Sequence, residues 1–217
     1  MFPKWYYIGR HDITAYAARR IMSLVLDNVP RINSVVDFGC GVGTWLQVCR
    51  DMLGTVDILG LDGSWLPQDA LLIPRERFRV ANLADFVELD EHYDLAIGLE
   101  VVEHIPAEYE SNYINSLVCA SNIVLFSAAA PRQPGFNHVN CQWPTHWVEL
   151  FVDLGYVPYD FIRPAIWGDI RIPWWYRQNV LLFVHADLVP RIKQEPVLGD
   201  RLAALNVVHP VALNSFL

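Results

Sequence analysis

The run VVDFGCGVGTWL at residues 35–46 constrains the fold more than any other part of the chain. A short apolar strand carries an acid, Asp37, near its end, and a helical pattern begins at Thr44. Three glycines stand between them at alternate positions: Gly39, Gly41 and Gly43. Glycine lets a backbone turn tightly and approach a ligand closely at a helix N-terminus. The run therefore predicts a binding loop for a nucleotide-like cofactor. Because Thr44 stands where a dinucleotide fingerprint has its last glycine, NAD is disfavoured.

Short apolar runs alternate with helical patterns along the chain. Strands are predicted at residues 34–38, 57–61, 78–81, 93–99 and 122–127. Helices are predicted at residues 12–28, 44–53, 107–119 and 145–154. This β-α-β series is typical of an α/β fold with a parallel sheet that is covered on both faces.

Two later apolar runs, at residues 159–163 and 179–185, predict a further pair of strands. The loop between them shows no obvious helix, so we expect an antiparallel hairpin at one sheet edge. We expect one cofactor-binding domain over residues 31–185, with an N-terminal lid and helix at 1–30. A tail would follow at 186–217, helical only near 199–206.

Composition excludes several kinds of partner. Sixteen Lys and Arg against 24 Asp and Glu give a net charge of -8, which disfavours nucleic acid and anionic membranes. The most apolar stretch, residues 180–184, is far shorter than the roughly 20 residues that span a bilayer. The cysteines form no C-x-x-C pair, so we expect reduced thiols and a cytoplasmic protein. They are Cys40, Cys49, Cys119 and Cys141.

Polar side chains follow the next two predicted strands. Asp62 stands about twenty residues beyond the glycines, where an acid can accept both ribose hydroxyls of a bound adenosine. Asn82 and Leu83 follow the third strand and could offer an amide and an apolar wall to an adenine ring. These positions predict a nucleoside site across the strand ends.

The segments VVDFGCGVG, LGLDG, ANL and YDLAIGLEVVEHI resemble, in order and spacing, the class I S-adenosylmethionine-dependent methyltransferases. The resemblance covers roughly residues 34–185. It implies a seven-stranded, mostly parallel, Rossmann-like sheet with an antiparallel last strand, and S-adenosyl-L-methionine as cofactor. Asp37 and the glycines would hold the methionine part, Asp62 the ribose, and Asn82 and Leu83 the adenine. The cofactor set implied in this way is Asp37, Gly39, Gly41, Gly43, Asp62, Gly63, Asn82, Leu83 and Glu100. Where the family often has Asp, this chain has Asn82, whose amide oxygen can still accept a hydrogen bond.

A narrower resemblance is carried by HVNxQWP, IRPxIW and WWYxQN, at residues 138–144, 162–167 and 174–179. They are similar to small methyltransferases of bacterial surface-glycan and natural-product pathways, which implies a sugar or small-molecule acceptor. The polar and aromatic loop 131–147 follows the fifth strand and is the expected acceptor wall. Trp147 is expected in the core. Trp174, Trp175 and Tyr176 are left open among pocket, hairpin packing and a contact between the subunits of a homodimer.

His104, at the end of the fourth strand, is the expected general base because imidazole titrates near neutrality. Its alternative role is to fix the start of the following helix. Glu103 and His138 complete the predicted catalytic set. The cluster also resembles the metal-binding E-x-x-E-H of small-RNA 2′-O-methyltransferases and ubiquinone-pathway O-methyltransferases. The metal ligands would then be Glu100, Glu103, His104 and His138. Because E-x-x-E-H is also common in enzymes of this class without metal, we expect no divalent metal.

The leading hypothesis is methyl transfer to an oxygen of a sugar or small metabolite. The alternatives are aminocarboxypropyl transfer or cyclisation of the same cofactor, a non-catalytic scaffold, and metal-assisted RNA methylation, which the net charge opposes. The aromatic residues 5–7 are expected to form a lid over the cofactor or to pack on the sheet.

Overall fold

The computed structural model describes residue 9 and residues 11–54 and 56–213. The strands are β1 Ser34–Phe38, β2 Asp57–Asp62, β3 Phe78–Val80, β4 Leu95–Leu99, β5 Ile123–Ser127, β6 Tyr156–Tyr159 and β7 Leu181–His185. The helices are α1 His11–Asn28, α2 Thr44–Leu53, α3 Glu110–Ala120, α4 Pro144–Asp153, α5 Ile162–Ile166, α6 Trp174–Asn179 and α7 Pro210–Leu213. The aromatic residues 5–7, expected to form a lid, lie outside the described residues. Within the described ranges, no helix has both the length and the apolar character needed to cross a bilayer.

One seven-stranded sheet runs in the order β3-β2-β1-β4-β5-β7-β6. The pairs from β3 to β5 are all parallel, and β7 is antiparallel to both of its neighbours. This is the predicted seven-stranded α/β fold. Since the strand order reverses on either side of β1, the crevice between β1 and β4 is the switch point at which ligands bind in such sheets.

The core consists of two apolar clusters, one on each face of the sheet. Alternate residues of β1 serve the two faces, because successive side chains of a strand point in opposite directions. Val35 belongs to the cluster that contains α1 and α2, whereas Val36 belongs to the cluster of α3 and α4. In the second cluster, the Phe151 and Phe183 rings stack with centroids 3.9 Å apart. Trp147 is buried there as predicted.

The sixth strand was predicted in the wrong place. Residues 159–163 were expected to be extended, but β6 is Tyr156–Tyr159 and the following residues form α5. Pro158 argues against a central strand, but β6 lies at the sheet edge, where a missing N–H group is tolerated. The pairing of β6 with β7 is antiparallel, as expected. The connection between them, expected to lack helices, contains α5 and α6.

The C-terminal segment contains more structure than predicted. Besides a 3₁₀ helix at Gly199–Leu205, it forms another at Ala186–Arg191 and the short helix α7. The buried Arg163 guanidinium holds it in place by donating from Nη1 to the Leu205 carbonyl at 2.9 Å. Asp160 balances the Arg163 charge with hydrogen bonds of 2.7 and 2.6 Å. The segment is therefore packed against the domain.

Replacing Phe151 with alanine should lower the free energy of unfolding by about 3–5 kcal/mol, because the buried ring leaves a cavity beside Phe183. Urea denaturation measures this loss. The adjacent Val152 has 48% exposure, so Val152→Ala is the matched control and should change stability by about 0.5 kcal/mol or less. Equal losses in the two variants would contradict the packing described.

Candidate active site

The loop after β1 has a backbone that only glycine adopts easily. Gly39, Gly41 and Gly43 have φ angles of 95°, 54° and 86°. The N–H groups of Gly39 and Cys40 both donate to the Leu61 carbonyl at the end of β2, at 2.7 and 3.0 Å. The predicted cofactor loop is thereby fixed to the neighbouring strand.

A side chain at either end of this loop would collide with its surroundings. A Cβ atom on Gly39 would lie 2.3 Å from Val101 Cγ2, and one on Gly43 would lie 3.0 Å from two Ile73 carbon atoms. The backbone angle and close packing together require glycine at position 39, and both favour it at position 43.

Asp62, the predicted ribose ligand, also braces the loop. Its Oδ2 accepts the Gly41 N–H at 2.8 Å and its Oδ1 accepts the Gly63 N–H at 2.7 Å. Each carboxylate oxygen can accept a further hydrogen bond. This second role has no signature in the sequence, because it joins residues 21 positions apart.

Asp37 and Asp62 place two buried carboxyl groups at the end of the crevice. Burial, and then the charge of Asp62, raise the pKa of Asp37 well above its usual range. Burial also raises the pKa of Asp62, although its two backbone hydrogen bonds lower it. The pair favours a ligand that brings positive charge.

The expected adenine residues follow β3, whose Val80 pairs with Asp62. Leu83 is buried and Asn82 is exposed. The Asn82 side chain closes its own turn, accepting the Ala84 N–H at 3.3 Å and donating to Asp85 at 2.9 Å. The expected free amide is thus engaged locally.

Trp65 is a residue of this edge that sequence reasoning missed. A Cβ on Gly63 would lie 2.2 Å from the Trp65 ring, so the indole packs directly over the glycine that follows Asp62. The Trp65 side chain is still 48% exposed and presents a flat surface beside Asp62. The sequence feature that could have indicated this packing is Gly63, which precedes Trp65 by two positions.

Glu100 follows β4 in a strained conformation, with a φ angle of 55°. Such a backbone costs a non-glycine residue on the order of 1–3 kcal/mol, and it occurs most often at functional sites. Glu100 Oε1 accepts a hydrogen bond from Asn179 Nδ2 at 3.0 Å, and Glu100 Oε2 accepts one from Gln133 Nε2 at 2.8 Å. Burial raises the pKa of Glu100, and these amides lower it. Neither amide partner was predicted.

Glu103 lies beneath this network and is fully buried. Burial, and then the charge of Glu100, raise its pKa well above the usual range, which favours the protonated acid. Neither carboxyl oxygen has a hydrogen-bond partner of good geometry among the described residues. Its backbone carbonyl accepts the N–H groups of Val139 and Asn140, at 2.8 and 3.1 Å. Glu103 therefore anchors the long loop after β5.

That anchoring brings the two predicted catalytic histidines together. The rings of His104 and His138 lie 5.0 Å apart in an edge-to-face arrangement. His104 Nδ1 contacts the Asn137 carbonyl at 3.2 Å, and His138 Nδ1 contacts the Gln133 carbonyl at 3.1 Å. Burial lowers the pKa of both imidazoles, so both are neutral near pH 7.

Three of the four proposed metal ligands converge. Potential ligand atoms of Glu103, His104 and His138 lie within 4.8 Å of one another. The fourth, Glu100, is not part of this group and is bound by two amides instead. An oxygen and two nitrogens of this kind could hold a borderline divalent cation.

The loop after β5 differs in detail from the expected acceptor wall. Asn140 is buried and donates to Glu110 at 2.7 Å, and Gln142 donates to Asn140 at 3.1 Å. Those two amides therefore hold the loop rather than face outward. The loop exposes three large apolar side chains, Phe136, Val139 and Trp143, together with the polar residues Arg132 and Asn137.

A cavity of about 630 Å³ opens between the start of α1 and α6. Tyr16, Trp174 and Trp175 supply aromatic walls. Both bordering helices contact the sheet edge that carries the glycine loop, which we call the cofactor edge. His11 Nδ1 contacts Thr44 Oγ1 at 3.2 Å, and Asn179 donates a hydrogen bond to Glu100. Tyr176 instead packs on Trp45, with ring centroids 5.6 Å apart.

Residues 10–121 match a family model described as a methyltransferase domain. The chain belongs to the class I S-adenosylmethionine-dependent methyltransferases. The matched residues include the glycine loop, Asp62 and the turn with Glu103 and His104. The enzyme uses S-adenosylmethionine as its cofactor. A search of curated proteins finds no match.

Solved structures of methyltransferases share the fold. DesVI of Streptomyces venezuelae is 16% identical, with a TM-score of 0.60 over 83% of this chain and 95% of its own. The plantazolicin methyltransferase BpumL, solved with a desmethyl-plantazolicin analogue and SAH, is 14% identical, with a TM-score of 0.58 over 83% and 88%. Magnesium protoporphyrin IX methyltransferase of Synechocystis PCC 6803, solved with SAM, is 22% identical, with a TM-score of 0.57 over 82% and 81%.

The residues of the crevice fit this cofactor. S-Adenosylmethionine carries positive charge on its sulfonium and amino groups, and the methyltransferase presents two buried carboxyl groups with raised pKa values, Asp37 and Asp62. At Gly39, Gly41 and Gly43 no side chain can lie between the backbone and a ligand. Buried acids of this kind are stabilised in their ionised form by a cationic ligand.

Gly39→Ala should reduce both stability and cofactor affinity, because the new Cβ collides with Val101 and the backbone angle is unfavourable. We expect a stability loss of about 1–3 kcal/mol and S-adenosylmethionine binding at least about tenfold weaker, measured by thermal denaturation and calorimetry. Gly168 has open space around it and serves as the control. A Gly39→Ala enzyme with unchanged affinity would show that the loop does not contact the cofactor.

Proposed function

We propose that the methyltransferase transfers the methyl group to an oxygen of a sugar or another small metabolite. The observation that carries this proposal is the half-buried His104 imidazole at the carboxyl end of β4, on the same sheet edge as the glycine loop. Its lowered pKa keeps it neutral at physiological pH. A neutral imidazole there suits an acceptor whose hydroxyl proton must be removed.

The cofactor supplies, when bound, a methyl group activated on a sulfonium. In this proposal Asp37 and the glycine loop hold its methionine part, and Asp62 with Gly63 holds the ribose. Asn82 and Leu83 border the adenine, with the exposed face of Trp65 nearby. Glu100, held by two amides, faces the cofactor from the end of β4.

The catalytic roles divide among three residues. His104 takes the proton of the acceptor hydroxyl at a ring nitrogen. His138 packs against its edge and keeps the imidazole in place. Glu103 is buried and favours the protonated form, so it holds the loop without placing a full negative charge beside the base.

The cavity between α1 and α6 is the acceptor site in this proposal. Its volume of about 630 Å³ lies within the range of small-molecule sites. The rings of Tyr16, Trp174 and Trp175 offer flat apolar surfaces that suit the C–H face of a sugar.

A reducing compartment, the cytoplasm, is the location that we propose. All four cysteines are free thiols, and Cys40 and Cys49 are buried. Burial raises the pKa of Cys49 to about 12, so this thiol is poorly reactive.

The reaction products distinguish methyl transfer from the other uses of the same cofactor. Incubation with labelled S-adenosylmethionine and a panel of sugars, activated sugars and cell extracts should yield S-adenosylhomocysteine and an acceptor that has gained one methyl group. Mass spectrometry identifies both. Methylthioadenosine would instead indicate aminocarboxypropyl transfer or cyclisation, and cofactor binding without turnover would favour a scaffold.

A metal-assisted reaction is the second candidate, favoured by the convergence of Glu103, His104 and His138. A divalent cation there could bind an acceptor oxygen and lower its pKa. This version would also admit an RNA 2′-hydroxyl as acceptor, although a net charge of -8 opposes it.

The base and metal versions predict different behaviour of the same variants. With a metal-free base, His104→Ala should lower the transfer rate by about 10²–10⁴ with little change in cofactor affinity, and chelator should have no effect. The wild-type rate should fall as the pH drops through the lowered pKa of His104, because only the neutral ring accepts a proton.

With a metal, chelator should abolish activity, added Mg²⁺ or Mn²⁺ should restore it, and His138→Ala should behave like chelated enzyme. Stopped assays at several pH values, with and without chelator, separate the two versions. A fully active His104→Ala enzyme is incompatible with both.

A further inference from the structure

The cavity beside the cofactor edge has charged groups as well as aromatic walls. Its lining includes one carboxylate, Asp12, and two guanidinium groups, Arg171 and Arg177. These three groups have different surroundings, and the difference indicates what the cavity can bind.

Arg171 already has its counter-ion. Its Nε and Nη2 donate to the two carboxylate oxygens of Asp169, each at 2.9 Å. Asp169 Oδ2 also accepts the Tyr16 hydroxyl at 2.8 Å, and the Arg171 guanidinium lies 4.4 Å from the centre of the Tyr16 ring. The Arg171 charge is therefore matched within the protein.

Arg177 forms no hydrogen bond to a carboxylate among the described residues. It is 5% exposed, and its Nη1 donates to the Trp167 carbonyl at 3.0 Å and contacts His209 Nε2 at 3.0 Å. Its Nε is buried and has no hydrogen-bond partner among the described residues. Neither contact supplies negative charge. Burial lowers the pKa of Arg177, and the charge of Asp169, which is bonded to Arg171 instead, raises it in part. A buried cation without a bonded carboxylate is costly, and guanidinium is the side chain best suited to carboxylate and phosphate.

We propose that the acceptor carries an anionic group, a carboxylate or a phosphate, which binds Arg177 while its ring lies against Trp174 and Trp175. This inference rests on the proposed function, in which the cavity holds the acceptor. The acceptor is then an acidic sugar or a sugar phosphate. The Asp12 carboxylate at the same cavity can accept hydroxyl hydrogen bonds from the remainder of the ring.

The test compares anionic with neutral sugars on the full chain saturated with S-adenosylhomocysteine. Dissociation constants for glucuronate, glucose 1-phosphate and glucose are measured by calorimetry or ligand-observed NMR. At least one anionic sugar should bind about tenfold or more tightly than glucose, and comparison of the two identifies carboxylate or phosphate. Equal binding of all three sugars, or no detectable binding of either anion, overturns the inference.

Substitutions identify the residue that is responsible for tighter binding of anionic sugars. Arg177→Gln should abolish the preference for the anion and leave glucose binding within about twofold. Arg79→Gln removes the same charge from exposed β3 and should retain the preference. If Arg177→Gln fails to fold, as judged by melting temperature and S-adenosylhomocysteine binding, Arg177→Lys takes its place and should keep a weakened preference. An unaltered preference in Arg177→Gln, or its loss in Arg171→Gln alone, overturns the assignment.

This binding readout is independent of turnover. Methyl transfer to neutral sugars, with no preference for anions, would overturn the inference and leave the proposed function standing. Retained anion binding that depends on Arg177, with no methylated product from any acceptor, would overturn the proposed function alone.

Discussion

The Glu100 carboxylate joins three parts of the chain that are distant in sequence. Glu100 follows β4. Its carboxylate accepts one hydrogen bond from Gln133 in the loop after β5 and another from Asn179 at the end of α6. A backbone strained at φ 55° directs it into this position. Because the loop carries His138 and α6 borders the cavity with α1, the Glu100 side chain links the glycine-loop edge of the sheet, the two histidines and the cavity.

The crevice contains buried carboxyl groups whose ionised forms the protein stabilises only in part. Asp37, Asp62, Glu100 and Glu103 all have raised pKa values, with burial as the first cause. Such an arrangement is unfavourable for the protein without ligand and is relieved by a cationic one. The buried acids therefore lower the stability of the protein without ligand and increase its affinity for a cationic ligand.

The sequence was sufficient for the fold where local signals were strong. The first strand and second helix were predicted to the residue, because buried parallel strands are apolar runs and glycines mark the turn between them. The glycine loop and Asp62 fell at the expected edge. The sixth strand was predicted too late in the chain, at residues 159–163. The true strand β6 contains Pro158, which is disfavoured in a central strand but tolerated at the sheet edge. The convergence of His104 with His138 was beyond sequence reasoning, since it depends on the Glu103 carbonyl accepting two N–H groups from a distant loop.

The way in which this loop is attached has an evolutionary consequence. Its fixed points are buried polar contacts, to the Glu103 carbonyl and from Asn140 to Glu110, whereas Phe136, Val139 and Trp143 are exposed. Substitutions at the exposed positions leave the contacts that set the histidines undisturbed. A lineage with this fold can therefore change the exposed surface of this loop by exchanging a few side chains, while the positions of His104 and His138 and the glycine loop are inherited intact.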